Sequence, residues 1–201
     1  MNGLMYLHMN NSEFSEIFPW DSLNNMTGLA VLSLGGDNPF DRTPFPKEVL
    51  KLTQLNWLYL SNCSIEGQIP KEIGNLSEFI NLELSLNSIY GEIPVEITKL
   101  SNLWQLELFQ NGLNGTLPVG FGNLTSLKMF DASNNYLTGD LSEVRLLNQL
   151  GVVEISPVIA YLSGIILVVG HQNGRRAVDR PMGGDELLGE RVDGLREKKM
   201  K

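Results

Sequence analysis

The sequence of 201 residues contains a single cysteine, Cys63, and only two histidines, His8 and His171. One cysteine excludes a disulfide framework within the chain, and two distant histidines exclude the usual zinc clusters. Basic residues are also few, with 15 Lys and Arg against 23 Asp and Glu. A protein that binds nucleic acid needs positive charge to neutralise phosphates. We therefore expect no metal, no cofactor and no nucleic-acid partner.

Motifs that mark catalytic sites are absent as well. The sequence has no GxGxxG, no GxxxxGKS/T, no GxSxG and no HExxH. Its carboxylates recur at a regular spacing along the chain, and not as a pair that could share a cleft. These absences predict a protein without enzymatic activity.

The dominant feature that is present is a repeat with a period of 24 residues. The unit LxxLxLxxNxLxGxIP occupies residues 55–70, 79–94 and 103–118, and most of it recurs from Leu127 to Leu141. A cysteine, Cys63, stands in the asparagine column of the first of these copies. An earlier copy begins at Leu29, slightly more than one period before Leu55, and a more degraded copy precedes it. No further LxxLxLxxN follows Leu141.

Alternation in the LxL segment predicts a short strand with leucines inward and variable residues outward. One unit cannot bury its leucines alone, so stacked units make a continuous core. The sequence therefore predicts an α/β solenoid of about five repeats, with a concave parallel β-sheet, over a domain at residues 1–150. We expect Asn87, Asn111 and Asn135 to be buried and bonded to backbone groups of neighbouring turns.

The repeat unit, extended by IGNL at residues 73–76 and FGNL at 121–124, resembles the plant-type leucine-rich repeat. More narrowly, the chain resembles ectodomains of HAIKU-type leucine-rich-repeat receptor-like kinases. The stretches that carry this narrower resemblance are residues 18–23, 56–65, 103–108 and 130–133.

The resemblance implies a glycosylated extracellular domain that binds peptide hormones, anchored at the plasma membrane and working with a co-receptor. The kinase part of the family has no counterpart here, because the glycine-rich loop, VAIK, HRD and DFG motifs are absent. No signal peptide is visible at the N-terminus either, so a cytoplasmic location stays open.

Outward positions of the predicted strands are the candidate ligand-binding residues. Three carboxylates stand at equivalent positions of consecutive repeats, and aromatic side chains lie close to them. Like charges on adjacent strands destabilise a sheet, so this face is either a solvated acidic surface or a groove for a basic, extended peptide. The candidates are Trp57, Tyr59, Glu83, Gln105, Glu107, Phe109 and Asp131.

Six N-x-S/T sequons occur in the sequence, as in proteins of secreted ancestry. Asn25, Asn75 and Asn123 fall in one convex column of the repeat, where a glycan is accommodated. We expect modification at these three and at Asn114, and less at Asn62, which we place on the concave strand.

Residues 151–170 are hydrophobic, with a single charge at Glu154. Three interpretations stay open: a transmembrane helix followed by a basic flank, a final strand that covers the last repeat, or translated non-coding sequence. Residues 171–201 form a charged tail for which we expect disorder.

The leading hypothesis is a non-catalytic recognition module, a fragment of a receptor-like kinase ectodomain that binds peptide or protein ligands through its concave face. The alternatives are a truncated decoy or scaffold repeat protein, and an incomplete gene model of a receptor-like Ser/Thr kinase.

Overall fold

A computed structural model of the chain describes residues 3–36, 38, 40–139, 142–145, 147 and 152–155. The strands of this part are, in chain order, β1 (Tyr6–His8), β2 (Val31–Ser33), β3 (Thr43–Pro44), β4 (Trp57–Tyr59), β5 (Ile65–Gly67), β6 (Asn81–Glu83), β7 (Ser88–Glu92), β8 (Gln105–Glu107), β9 (Gly112–Gly115), β10 (Met129–Ala132), β11 (Tyr136–Leu137) and β12 (Val152–Ile155).

One long sheet, entirely parallel, contains a strand from each turn that the structure describes, in the order β1-β2-β4-β6-β8-β10-β12. Its register reproduces the sequence period, because Trp57 pairs with Asn81, Asn81 with Gln105 and Gln105 with Met129. The pairing of Val31 with Trp57 reproduces the step between the first two copies, which is slightly longer than one period in the sequence. The solenoid predicted from the repeat is therefore confirmed.

The leucines of the repeat form the core. Each of Leu58, Leu82 and Leu106 is fully buried at the centre of its strand, and Phe130 occupies the same position at 1% exposure. Burying such a side chain contributes roughly 1.5–3 kcal/mol. Because every turn supplies its leucines to one continuous cluster, each turn is stabilised mainly by its two neighbours.

After each of the concave strands β2, β4, β6, β8 and β10 the chain makes a turn and enters a further strand. These further strands form a second parallel sheet, in the order β11-β9-β7-β5-β3. The glycine column of the repeat falls in this region, and its members have a positive φ that disfavours any residue with a Cβ. They are Gly67 (98°), Gly91 (84°), Gly115 (74°) and Gly139 (92°).

The convex side consists of short 3-10 helices where the sequence reads IPxxIGNL or its variants. The helices span Trp20–Asn25, Val49–Lys51, Lys71–Asn75, Val95–Lys99 and Phe121–Asn123. An α-helical turn, α1 (Ser142–Arg145), follows them.

Asparagines of the repeat fix the turn after each concave strand. The Asn87 amide donates to the carbonyls of Leu60 at 2.9 Å and Leu84 at 2.8 Å, and its oxygen accepts from the N–H groups of Cys63 at 3.1 Å and Ile65 at 3.0 Å. Asn111 and Asn135 repeat this pattern one and two turns later. The predicted bonding is confirmed. Burial differs, since Asn135 is buried while Asn87 and Asn111 are half-buried.

Asn38 holds the turn after β2 in the same way, although an insertion in this copy places it one position beyond the asparagine column of the repeat. Its amide donates to the carbonyls of Met9 and Leu34 at 2.7 Å each, and its oxygen accepts from the N–H groups of Ser12 at 3.0 Å and Phe14 at 3.1 Å. At Cys63 the column holds a buried thiol instead, with Sγ 3.8 Å from the Ser61 carbonyl.

The sheet extends beyond Leu141, where the repeat pattern is lost in the sequence. β12 pairs with β10 at a step slightly shorter than one period, with Met129 opposite Val152. Val144 and Leu147 are both buried. In the sequence they follow Phe121 and Leu124, their counterparts in the preceding turn, by the same shortened step. The start of the segment 151–170 thus lies in the sheet, and residues 156–201 lie outside the described part. Within that described part no helix has the length and apolar character needed to cross a bilayer.

Candidate ligand-binding surface

Outward side chains of the concave sheet line up in two columns. The register places Tyr59, Glu83, Glu107 and Asp131 opposite one another on β4, β6, β8 and β10. Neighbouring parallel strands are about 4.8 Å apart, so the three carboxylates span about 10 Å. We refer to Glu83, Glu107 and Asp131 as the acidic column.

A parallel column runs beside it and is formed by Trp57, Asn81, Gln105 and Met129. Phe109, the remaining sequence candidate, lies just beyond the end of β8 and is half-buried. The register therefore brings six of the seven candidates to one face of the sheet, and the alternation of side chains after Gln105 and Glu107 assigns Phe109 to the same face.

Neutral donors hold each carboxylate of the acidic column in place. The Trp57 indole Nε1–H donates to Glu83 Oε1 at 3.1 Å, and the Gln105 Nε2–H donates to Glu107 Oε1 at 2.7 Å. The Ser133 hydroxyl donates to Asp131 Oδ1 at 2.7 Å. These bonds restrict the carboxylates without cancelling their charges.

A further bond links neighbouring strands. The Asn81 amide donates to Gln105 Oε1 at 3.0 Å, and this fixes the Gln105 amide that in turn donates to Glu107. Among the described residues neither Glu107 nor Asp131 forms an ion pair, and the ion pair found there joins Arg42 to Glu66 at 4.0 Å. The acidic column is thus an ordered, charged surface suited to a cationic group.

A pocket opens at the N-terminal end of this face. Its volume is about 310 Å³, and its lining consists of His8, Asn10, Val31, Ser33, Trp57, Tyr59 and Glu83. We refer to it as the aromatic pocket. His8 and Asn10 are not among the candidate residues predicted from the sequence. They belong to the degraded first copy, in which the repeat pattern is weak. The pairing of His8 with Ser33, which in turn pairs with Tyr59, identifies His8 as a member of the same column.

A second depression, of about 340 Å³, lies where the chain enters the concave strands. Its lining includes Ile80 and Trp104, which are 46% and 41% exposed, and the polar side chains of Asn56, Glu78 and Asn102. Ile80 and Trp104 stand at the same position of consecutive turns. We refer to this surface as the flank patch.

The predicted glycosylation asparagines all lie on the surface. Asn25, Asn75 and Asn123 are exposed at the last residue of three 3-10 helices on the convex side, and Asn114 is exposed in β9. Asn62 lies in the turn beyond β4, and not on the strand itself. Its side chain is exposed and donates to the Gly36 carbonyl at 2.8 Å.

Cys63 is no candidate for thiol chemistry. It is fully buried, and burial in apolar surroundings raises the pKa of its thiol to about 12. A nucleophilic cysteine needs the thiolate form and access to solvent. This side chain therefore belongs to the core.

A solenoid of parallel strands, in which each turn packs on its two neighbours, defines the class of solenoid repeat proteins. The model of the family described as "Leucine-rich repeat region" matches residues 7–158. The chain therefore belongs to the leucine-rich repeat family.

Two curated relatives from Arabidopsis thaliana match parts of the chain. The "Receptor-like protein kinase HAIKU2" is 57% identical over 66 residues, which are 33% of this chain and 7% of the relative. The "Receptor-like protein kinase 7" is 61% identical over 33% of this chain and 9% of the relative. The chain thus spans less than a tenth of the length of these curated relatives.

Among solved structures, the chain is similar to that of the Arabidopsis receptor kinase HAESA in complex with the peptide hormone IDA and the co-receptor SERK1. The identity is 38%, the TM-score 0.69, and the match covers 76% of this chain and 25% of that chain. The relationship to plant leucine-rich-repeat receptor kinases expected from the sequence is confirmed.

Proposed function

We propose that the chain is a ligand-recognition part of a plant receptor-like kinase ectodomain and binds an extended peptide or protein segment on its concave face. The observation that carries the proposal is the pair of outward columns, in which hydrogen bonds order charged and amide side chains on consecutive strands. The similarity to a receptor structure that contains a peptide hormone supports it.

An extended ligand suits this surface for a physical reason. Trp57, Tyr59 and Phe109 offer aromatic anchors, and aromatic side chains carry much of the energy at binding hot spots. Glu83, Gln105, Glu107 and Asp131 would pair with basic and amide groups along the ligand. Because bonds within the protein already order several of these side chains, less conformational entropy is lost on binding.

A binding titration tests this proposal. The full chain, secreted from a plant or insect host, is titrated with basic and acidic pools of random nonapeptides. Each exposed ion pair contributes only about 0–1 kcal/mol, but several act on one ligand. The basic pool should therefore bind more tightly, and its binding should weaken as salt rises from about 0.1 M to about 1 M, over which the Debye length falls to about 3 Å.

The charge reversals Glu107→Lys and Glu72→Lys form a matched pair. Glu107 lies at the centre of the acidic column, and Glu72 is exposed on a convex 3-10 helix. Loss of affinity for the basic pool is expected with the first variant alone. Equal, salt-insensitive binding of both pools, unchanged by Glu107→Lys, would leave a solvated acidic face without specificity.

We also propose an extracellular location with N-glycans at Asn25, Asn75, Asn114 and Asn123. All four are exposed, so none requires a local opening before transfer of a glycan. Enzymatic removal of N-glycans from the secreted chain should convert these asparagines to aspartates, which mass spectrometry detects. An unmodified secreted chain would contradict this part of the proposal. Membrane anchorage through residues 151–170 stays a prediction.

We also propose that the flank patch contacts a protein partner, such as a co-receptor. Ile80 and Trp104 expose apolar area side by side among polar neighbours, a composition typical of protein interfaces. Trp104→Ser should weaken association with a partner recovered by cross-linking and leave the concave peptide affinity unchanged. Loss of peptide affinity instead would assign Trp104 to the concave site.

A further inference from the structure

The aromatic pocket has a buried floor, an aromatic wall and one carboxylate. Val31 and Ser33 are buried beneath it, while Trp57 is 44% exposed and Tyr59 is half-exposed beside it. Tyr59 and Glu83 stand directly opposite each other on β4 and β6. The pocket therefore has one carboxylate and two aromatic rings within reach of a single ligand side chain.

The bond from Trp57 to Glu83 determines how the pocket presents its charge. Trp57 Nε1–H donates to Glu83 Oε1 at 3.1 Å, which keeps the carboxylate next to the aromatic pair. An indole N–H is a neutral donor, so this bond does not cancel the negative charge of Glu83. Aromatic rings attract cations through the negative faces of their π-systems. Both features favour the same kind of occupant.

We infer that the aromatic pocket binds one basic side chain of the ligand, arginine before lysine. This inference depends on the proposed function, because it assigns the ligand chemistry of one subsite on the concave face. A planar guanidinium stacks on an aromatic ring and pairs with a carboxylate at the same time. An acidic side chain would be repelled by Glu83, and an apolar one would desolvate that carboxylate without compensation.

Competing peptides that differ in one side chain test the inference. The probes are acetyl-Gly-Ser-Arg-Ser-Gly-amide and the same peptide with citrulline, which has the shape of arginine without its charge. Binding to the full chain is followed by the indole N–H resonance of Trp57 in NMR spectra. The arginine peptide should bind about ten-fold more tightly, since a cation–π contact and a carboxylate pair are both lost with citrulline.

Glu83→Gln keeps the side-chain shape and should reduce that preference to about two-fold, the part that the cation–π contact alone supplies. Glu72→Gln, on the convex side, should leave it at about ten-fold, because Glu72 is remote from the pocket. Spectra of both variants report directly whether they remain folded.

The two proposals fail in distinguishable ways. If arginine and citrulline peptides bind equally while the basic pool still depends on Glu107, the pocket assignment is wrong and the concave recognition surface remains. If the Trp57 resonance shifts only with apolar or acidic peptides, the pocket takes another class of side chain. If no peptide from either pool binds, the proposed function itself is contradicted.

Discussion

Replacing Asn87 with alanine should destabilise the solenoid by about 2–4 kcal/mol. The Asn87 amide bonds to five backbone groups, three carbonyls at 2.9, 2.8 and 3.1 Å and two N–H groups at 3.1 and 3.0 Å. Because an amide NH₂ group has two hydrogens, two of the three carbonyls share one, and the side chain makes the equivalent of four full bonds. A hydrogen bond contributes about 0.5–1.5 kcal/mol net, so four of them give about 2–6 kcal/mol. Asn87 is half-buried, which lets water replace part of this, and the expected loss falls in the lower half of that range.

Asn102→Ala is the matched control. Asn102 is exposed on the flank, and its amide donates to the Ser77 carbonyl at 3.1 Å. Its loss should cost about 0.5–1 kcal/mol. Urea unfolding of the full chain, followed by circular dichroism, measures both variants. If Asn87→Ala comes within about 0.5 kcal/mol of Asn102→Ala, the turns are held by apolar packing and the asparagine bonds are incidental.

Three further predictions concern single residues. Burial raises the pKa of Cys63 from 9.0 to about 12. The reagent dithiobis(nitrobenzoate) reacts with an accessible thiolate, so it should label Cys63 only after unfolding. The unfolded thiol ionises first, so stability should fall by up to about 1.4 kcal/mol per pH unit between pH 9 and about 12, and Cys63→Ser should remove this contribution. Glu143→Ala should cost about 1–3 kcal/mol in urea unfolding, because the carboxylate accepts from two backbone N–H groups at 3.0 and 3.1 Å. Gly74→Ala should lower the melting temperature more than Gly112→Ala, because its Cβ would lie 2.5 Å from a backbone oxygen of Glu96, against 3.2 Å for the nearest atom at Gly112.

Sequence analysis could predict the fold because the repeat makes register visible. Each strand pairs with the strand one period away, so equal spacing in the sequence becomes direct opposition in the sheet. The alignment of Glu83, Glu107 and Asp131 follows from this alone. The hydrogen bonds that hold them do not, because the choice of Trp57, Gln105 and Ser133 as donors depends on side-chain rotamers.

Insertions and deletions limited the prediction at both ends of the array. Asn38 holds its turn from one position beyond the expected column, since the loop absorbs an extra residue. β12 pairs with β10 at a shortened step, which a search at constant period misses. The signal for it was present in the spacing of Val144 from Phe121 and of Leu147 from Leu124. The position of His8 in the column of Tyr59 is hard to predict for a similar reason, because the first copy keeps few of its leucines.

Photo-crosslinking tests the central claim, that the concave face is the recognition surface, most directly. Tyr59 and Tyr136 are each replaced by p-benzoylphenylalanine in the full chain, which puts the same reactive group on the concave sheet and on β11 of the second sheet. Tyr136 is 69% exposed, so its variant controls for contact by accessibility alone. After irradiation with the basic peptide pool, we predict that adducts form at position 59 and not at position 136. Equal labelling of both positions, or labelling of position 136 alone, would contradict the account.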